Sequence, residues 1–346
     1  MRPMVRSLYL LSIATLAVQP ASGKAESPEG QAMDAQTVLA LKSLQLLDQR
    51  MHATGYRLVS ANAEFCKETV PHLGVLLHDI EQYGDPATAR FAFGFTSPIA
   101  INAVAPDSPA AIAELAAGDG LKAIDGIAVQ DIAVDTEKLA KEKPEYRRIA
   151  AVKATLMEAG VDGQAELVVQ RGGVNQMITL APVETCPSQF QIRVSGKREA
   201  SADGKMVSIS STLAEYVLDD DELAAIAAHE LAHNLLKHRE RLNAQKVNRG
   251  FFGQFGKSAG RIKAAEIEAD RLSVWLMANA GYDPKAAIRF WTRYGKQHGK
   301  GIFSASTHYR WKKRVKLFEE EIAKMQAVEA VAGKYAPPLL AVSEPN

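Results

Sequence analysis

Residues 219–236 read DDDELAAIAAHELAHNLL, and this stretch decides the fold of the second half of the chain. The leading acids can cap a helix and suit its positive N-terminal end, and good helix formers follow without a breaker. On a helix, His229 and His233 project from one face and can hold one metal ion together. Glu230, one step round the helix, can reach a water on that ion without being a ligand itself.

A tetrahedral catalytic zinc site takes three protein ligands and leaves one position open, so this helix needs a third ligand from elsewhere. In the pattern HExxHxxGxxH a third histidine would stand at position 239, which is Arg239. A glutamate about twenty residues after His233 would fall near Phe252 and Gly253, so that arrangement fails too. The next acidic cluster is EIEAD at 266–270.

HELAH at 229–233 and EIEAD at 266–270 are followed by AGYDP at 280–284 and STHYRWKKR at 306–314. Together these motifs resemble the family-48 zinc metallopeptidases, relatives of HtpX and the CAAX prenyl proteases, over about residues 34–80 and 187–330. The resemblance implies three ligands for one Zn²⁺ per chain, namely His229, His233 and Glu266. It also implies a general base and a carboxylate that orients a ligating histidine, namely Glu230 and Asp270.

Glu268 is the rival for the third ligand, although two positions along the helix from Glu266 it should point elsewhere. His308 falls where relatives carry a His-Pro facing the active site, which implies that it steadies the oxyanion or occupies the open zinc position. Tyr309 replaces that proline, and a surface histidine is the alternative. Arg314, at the family's downstream arginine, is expected to be structural. Other histidines lack a partner at ligand spacing, and we expect ordinary surface or hydrogen-bonded roles for them: His52, His72, His78, His238 and His298.

The N-terminus is typical of a secretory signal peptide, because Arg2 and Arg6 precede a short apolar stretch and small residues follow by position 23. The stretch is too short to cross a bilayer, and we expect no stable membrane span after its removal; a retained anchor is the alternative. We therefore expect the protein to be exported across the inner membrane to the periplasm. There, Cys66 and Cys186 are expected to form a disulfide, with two separate buried thiols as the alternative.

The region between the cysteines has the pattern of a small β-rich module. The spacing predicts strands over 99–104, 121–124, 165–170 and 176–180, a short helix after Pro109 and a longer one over 145–159. The segments APDSPAA, AGDGLKAIDG and ELVVQRGG resemble a PDZ domain over about residues 88–183. That resemblance implies a groove for an extended peptide or a C-terminus, with Phe93-Gly94-Phe95 as its candidate carboxylate loop. An insertion without a ligand is the alternative.

Two further segments flank the motif helix. Residues 190–194 and 205–210 flank Ala202-Asp203-Gly204, which predicts a β-hairpin, and the strand at 205–210 is expected to border the cleft and pair with substrate. Residues 36–52 predict an amphipathic helix. Its leucine stripe is expected to pack in the core: Leu39, Leu41, Leu44, Leu46 and Leu47.

The predicted fold is α+β, a mainly helical zincin-type metalloprotease domain with a small β-hairpin or sheet and an inserted β-rich PDZ-like domain. The expected divisions are a signal peptide (1–23), the first part of the peptidase domain (28–87), the PDZ-like insertion (88–183), the peptidase core (184–332) and a loose tail (333–346). The length of 346 residues allows two or three hydrophobic cores. The chain has 41 Lys and Arg against 40 Asp and Glu, so there is no excess of positive charge to attract nucleic acid.

The predicted function is a zinc-dependent endopeptidase that acts on exported or misfolded envelope proteins, with protein or peptide substrates. A zinc-binding chaperone or assembly factor of the cell envelope, with little proteolysis, is the alternative.

Overall fold

The computed structural model describes residues 34–247, 256–298 and 311–341. The predicted signal peptide lies outside these residues. The helices are α1 (Ala35–Ala61), α2 (Pro86–Phe93), α3 (Pro109–Ile112), α4 (Pro144–Ala159), α5 (Ser211–Tyr216), α6 (Asp220–Leu235), α7 (His238–Ala244), α8 (Gly256–Asn279), α9 (Lys285–His298), α10 (Trp311–Gln326) and α11 (Pro338–Ala341). The strands are β1 (Val70–His72), β2 (Val75–Asp79), β3 (Ile99–Val104), β4 (Gly120–Ile124), β5 (Ile127–Ala128), β6 (Ala165–Arg171), β7 (Val174–Leu180), β8 (Val183–Thr185), β9 (Gln189–Arg193), β10 (Ala200–Ala202) and β11 (Met206–Ser210). The α+β class is therefore confirmed.

A six-stranded antiparallel sheet forms the middle of the chain. Its order is β2-β3-β4-β6-β7, and β5 pairs with β4. Ile101, Leu121, Val152 and Leu167 are fully or almost fully buried in the core between this sheet and α4. The strands and helices predicted between the cysteines are all present. The sheet begins at Val75, before the expected boundary at residue 88, because β2 pairs along β3.

The candidate carboxylate loop Phe93-Gly94-Phe95 is not a loop beside a groove. Gly94 ends α2 in the left-handed region at φ 68°, and its amide bonds back to the helix. Phe93 and Phe95 are buried and their rings contact each other, with centroids 5.2 Å apart. Their apolar side chains therefore close a small core cluster, and the prediction for this loop is wrong.

Helix α1 extends beyond its predicted end and crosses both parts of the molecule. Its second half is buried in the peptidase core, where a Cβ at Gly55 would lie 2.3 Å from the Phe190 ring, so the glycine permits this close packing. Its first half packs on β3 and α2. Leu41 and Leu47 are partly buried and pack against core clusters, as predicted. Leu39 and Leu46 are 66% and 61% exposed, so only part of the predicted leucine stripe packs in the core.

The three-stranded sheet beside the motif helix corrects the predicted hairpin. The turn at Asp203-Gly204 joins β10 to β11, whereas β9 and β11 are parallel neighbours. Strand β11 thus lies in the middle of the sheet, because β10 forms one edge and β9 forms the other. Both edges of β11 are occupied, so the expectation that this strand pairs with substrate is wrong.

The peptidase core is built around α6 and α8, which pack against each other along small, buried side chains. The predicted disulfide is present, with the Cα atoms of Cys66 and Cys186 5.6 Å apart. It closes around the β-rich region, and β1 pairs with β8 beside it. Tyr335 exchanges hydrogen bonds with Asn279, so the first part of the expected loose tail is docked. Within the described residues no helix is long and apolar enough to cross a membrane.

Candidate metal centre

Helix α6 presents the two histidines of the motif as its sequence predicts. Asp219 caps the helix, and its carboxylate accepts a hydrogen bond of 2.8 Å from the Glu222 amide. The helix is buried along most of its length. His229 and His233 therefore stand one turn apart, with their Nε2 atoms 3.2 Å from each other.

Helix α8 packs against α6 and brings a carboxylate to this pair. The Glu266 oxygens lie 3.5 Å from His229 Nε2 and 3.6 Å from His233 Nε2. Among the described residues these three side chains form the group whose ligand atoms could hold a metal ion, since the atoms lie within 4.8 Å of one another.

The spacing of these atoms fits zinc. Ligands about 2.0–2.1 Å from a tetrahedral zinc ion lie roughly 3.3–3.4 Å apart. The two Nε2 atoms here are 3.2 Å apart, and Glu266 approaches His229 Nε2 with Oε2 at 3.5 Å and His233 Nε2 with Oε1 at 3.6 Å. Two neutral imidazoles and one carboxylate are also a donor set that zinc accepts. The three side chains therefore lie close enough together to supply three ligands to one zinc ion.

The electrostatics of the pair favour one positive charge between the carboxylates. Burial and Arg314 act to lower the pKa of His229, but Asp270 and Glu266 outweigh them and raise it to about 9. Burial, reinforced by the neighbouring His229, lowers the pKa of His233 to about 3. A divalent metal ion held by these side chains would place positive charge beside the same carboxylates.

The outer nitrogen of His229 is held by a buried carboxylate. His229 Nδ1 lies 2.8 Å from Asp270 Oδ1. Arg314 Nε donates to the same carboxylate at 2.9 Å, and its guanidinium stacks 3.6 Å from the Trp291 ring centroid. Asp270 is fully buried and Arg314 nearly so, as the expected structural role of this arginine requires.

The outer nitrogen of His233 is held in a different way. His238 Nδ1 lies 2.9 Å from His233 Nδ1, and His238 Nε2 lies 2.9 Å from Glu268 Oε2. Arg241 donates to Glu268 from both terminal nitrogens, at 2.7 and 3.4 Å. Glu268 thus points away from the metal-ligand group, as its position two residues after Glu266 predicts.

Comparison with known proteins agrees with this geometry. Residues 174–263 match peptidase family M48, a stretch that includes both histidines and ends shortly before Glu266. This part of the chain is therefore similar to peptidase family M48. It is also 31% identical over 137 residues to the mitochondrial metalloendopeptidase OMA1 of Schizosaccharomyces pombe. That match covers 34% of this chain and 41% of the relative, so the two share less than half of their lengths.

Glu230, the predicted base, follows His229 on α6 and is partly exposed, whereas His229 is buried. A base that receives a proton from water must be reachable by water, and this exposure meets that need. His308 lies outside the described residues.

Of the histidines expected to have ordinary surface or hydrogen-bonded roles, one belongs to the surroundings of the candidate metal centre. His52 lies 3.0 Å from the Gly74 carbonyl, and His72 accepts the Gly74 amide at 2.8 Å, so both are satisfied near the β-rich region. His238, in contrast, contacts a metal-ligand histidine directly. The sequence contains no signal for this contact except proximity, because it depends on the turn at Lys237, whose φ is 51°.

Proposed function

We propose that this protein is a zinc-dependent endopeptidase. The observation that carries the proposal is the convergence of His229, His233 and Glu266 at the spacing of three zinc ligands, beside Glu230. The match of residues 174–263 to peptidase family M48 implies zinc and supports the same proposal. The His-His-Glu set leaves one position of a tetrahedron for water or substrate, which a structural zinc site with four protein ligands does not.

The residues divide the reaction between them. His229, His233 and Glu266 would hold the ion, which when bound lowers the pKa of a water molecule and polarises the peptide carbonyl. Glu230 accepts a proton from the attacking water. The C–N bond then breaks, Glu230 returns the proton to the leaving amine, and the other product is a carboxylate. Asp270 keeps His229 oriented through its Nδ1 atom.

An extended substrate segment is proposed to lie along β10. This strand is an edge of the three-stranded sheet, and it packs against α6, the helix that bears both histidines. Its outer backbone groups can pair with an added strand irrespective of side chains, which suits an enzyme that cuts several sequences. The role proposed for β10 replaces the one expected of residues 205–210.

The decisive experiment compares wild type with Glu230→Gln. We expect cleavage of an unfolded protein such as casein to fall by a factor of about 10² to 10⁴, while bound zinc stays at one ion per chain. Glu215→Gln, exposed on α5, serves as the matched control. Full activity in Glu230→Gln rejects this base. If the variant keeps the protein's cellular function without cleavage, the chaperone alternative replaces the endopeptidase.

The β-rich region is proposed to bind peptides as a PDZ-like domain. Strand β2 is the edge of its sheet, and α4 packs alongside β2. Leu77 and the α4 residues Ile149, Lys153 and Leu156 line one part of a cavity of about 2320 Å³, which extends from there to α1, β9 and α7. Binding of labelled peptides with free or amidated C-termini tests this proposal. The proposal is rejected if neither kind of peptide binds.

We also propose that the protein works outside the cytoplasm, in the periplasm, on exported or misfolded envelope proteins. The Cys66–Cys186 disulfide supports an oxidising compartment, since such bonds are rare in the cytosol. Fractionation of cells that express the tagged full chain tests the location. Recovery of the chain with cytosolic markers and both thiols free overturns it.

A further inference from the structure

We propose that His238 is a positioning residue for the metal centre, and that it couples the zinc ligand His233 to Glu268 and Arg241. The inference rests on the zinc site of the proposed function. His238 is not a ligand, because its Nδ1 atom faces His233 Nδ1, the nitrogen on the side of that ring away from Glu266.

The backbone places His238 for this contact. Helix α6 ends at Leu235, and Lys237 takes a left-handed conformation with φ 51° and ψ 38° before α7 begins at His238. This reversal returns the His238 ring to His233, with centroids 4.9 Å apart and planes at 73°. The side chain is only 2% exposed, so water does not compete for its nitrogens.

The hydrogen-bond directions are consistent along the whole chain of contacts. A histidine that binds zinc through Nε2 keeps its proton on Nδ1, so His233 must donate to His238. His238 then accepts at Nδ1 and carries its own proton on Nε2. That nitrogen donates to the Glu268 carboxylate, which accepts further bonds from Arg241. Each donor meets an acceptor, and only one tautomer of each ring satisfies them all.

This arrangement has a specific consequence for His233. Without an acceptor at His238, the Nδ1 proton of His233 loses its partner in a buried place, and the ring loses the contact that fixes its rotation about χ2. Loss of such a residue behind a ligand typically lowers metal affinity about 10- to 100-fold. His238 should therefore tune how tightly and how long the ion is held.

Three variants of the full chain separate this role from general packing. His238→Ala removes both bonds. His238→Asn keeps an oxygen acceptor near the position of Nδ1 but cannot reach Glu268. Glu268→Gln keeps an acceptor for His238 but removes its charge. Glu240→Gln, exposed on the same helix α7, is the matched control.

The measurements are the zinc dissociation constant, by competition with a chromophoric chelator, the dissociation rate, and the visible spectrum of the Co²⁺-loaded protein. We expect His238→Ala to weaken zinc binding about 10- to 100-fold with a changed Co²⁺ spectrum. His238→Asn should recover part of this loss, Glu268→Gln should lose less, and Glu240→Gln should match wild type. If His238→Ala does not fold, the zinc affinities of His238→Asn and Glu268→Gln are compared with that of wild type, and this comparison tests the proposal.

The proposal is overturned if the folded His238 variants and Glu268→Gln bind and release zinc as wild type does and have its Co²⁺ spectrum. The proposed endopeptidase function is not affected by that result. If wild type itself binds no zinc, the proposed function fails, and the positioning role fails with it. Weakened zinc binding in His238→Ala that His238→Asn partly restores supports the proposal, since loss of packing alone would not be restored by an acceptor.

Discussion

His229 and His233 lie one turn apart on α6, yet their outer nitrogens are held by different surroundings. On the His229 side, a carboxylate and an arginine, Asp270 and Arg314, are both buried. On the His233 side, an imidazole intervenes, and the side chains of Glu268 and Arg241 are 29% and 48% exposed. A carboxylate and an arginine thus stand behind each histidine, in direct contact and buried on the His229 side, but reached through His238 and partly exposed on the His233 side.

The difference indicates separate tasks for the two sides. A buried ion pair costs a great deal when one partner is lost, so the His229 side is tied to the fold itself. A partly exposed pair is worth much less to stability, so the His233 side can change without unfolding the chain. We infer that the first side fixes the position of the site and that the second adjusts the hold on the ion.

The largest expected effect separates the glutamates of α8. Glu266→Ala should lower zinc affinity by more than the roughly 100-fold that loss of a residue behind a ligand costs. Glu268→Ala should stay within that range and keep its zinc at saturating concentrations. Metal analysis after dialysis at fixed free zinc compares the two proteins. Equal zinc loss in both would show that Glu268 shares the ligand role.

The next effect concerns folding on the His229 side. Asp270→Asn leaves the buried Arg314 guanidinium without its charge partner, and we expect the free energy of unfolding to fall by about 3–5 kcal/mol. Glu268→Gln should cost at most about 1 kcal/mol, because Glu268 is partly exposed. Denaturant titrations with chelator present remove the contribution of metal. Similar losses in the two variants contradict the contrast between the sides.

The sequence predicts one side of this comparison and not the other. The i and i+4 spacing of Glu266 and Asp270 along a helix is visible in the letters, because helical periodicity fixes which side chains share a face. The contact between His238 and His233 depends on a left-handed residue, Lys237, that breaks the periodicity. Local patterns cannot specify the direction in which the chain leaves such a turn.

The same limit explains the errors in the sheets. Alternation predicted the strands around 190–194 and 205–210, but whether two strands pair in parallel or antiparallel depends on the path between them. Strand β10 is the antiparallel hairpin partner of β11, and β9 pairs with the other edge of β11 in parallel. The cysteine pairing was predictable from the count and the expected export, since only one pairing exists for two cysteines.

The ligand histidines should also give the metal-free protein opposite pH responses. A pKa of about 9 for His229 stabilises the folded state fully below pH 6.5, and this stability is lost as the pH rises towards 9. A pKa of about 3 for His233 contributes stability above 6.5, which is lost as the pH falls towards 3. Each limb has a slope of about 1.4 kcal/mol per pH unit.

We therefore expect the contribution of His229 and His233 to the free energy of unfolding to be largest near pH 6.5, the ordinary pKa of histidine. Unfolding free energies of chelated protein at pH 5, 6.5 and 8, for wild type and His229→Asn, measure it. The variant should lose the alkaline limb, since it removes the group that titrates there. An unchanged alkaline limb in His229→Asn would assign that response to another group.

The smallest expected effect tests the outermost contact on the His233 side. Arg241→Gln removes a half-exposed partner of Glu268, whose bond to His238 remains. We expect a loss of unfolding free energy of at most about 1 kcal/mol and a change in zinc affinity smaller than that of His238→Ala. Denaturant and chelator titrations measure both. A loss as large as that of Asp270→Asn would mean that exposure does not distinguish the sides, because screening by solvent is the physical reason for the difference.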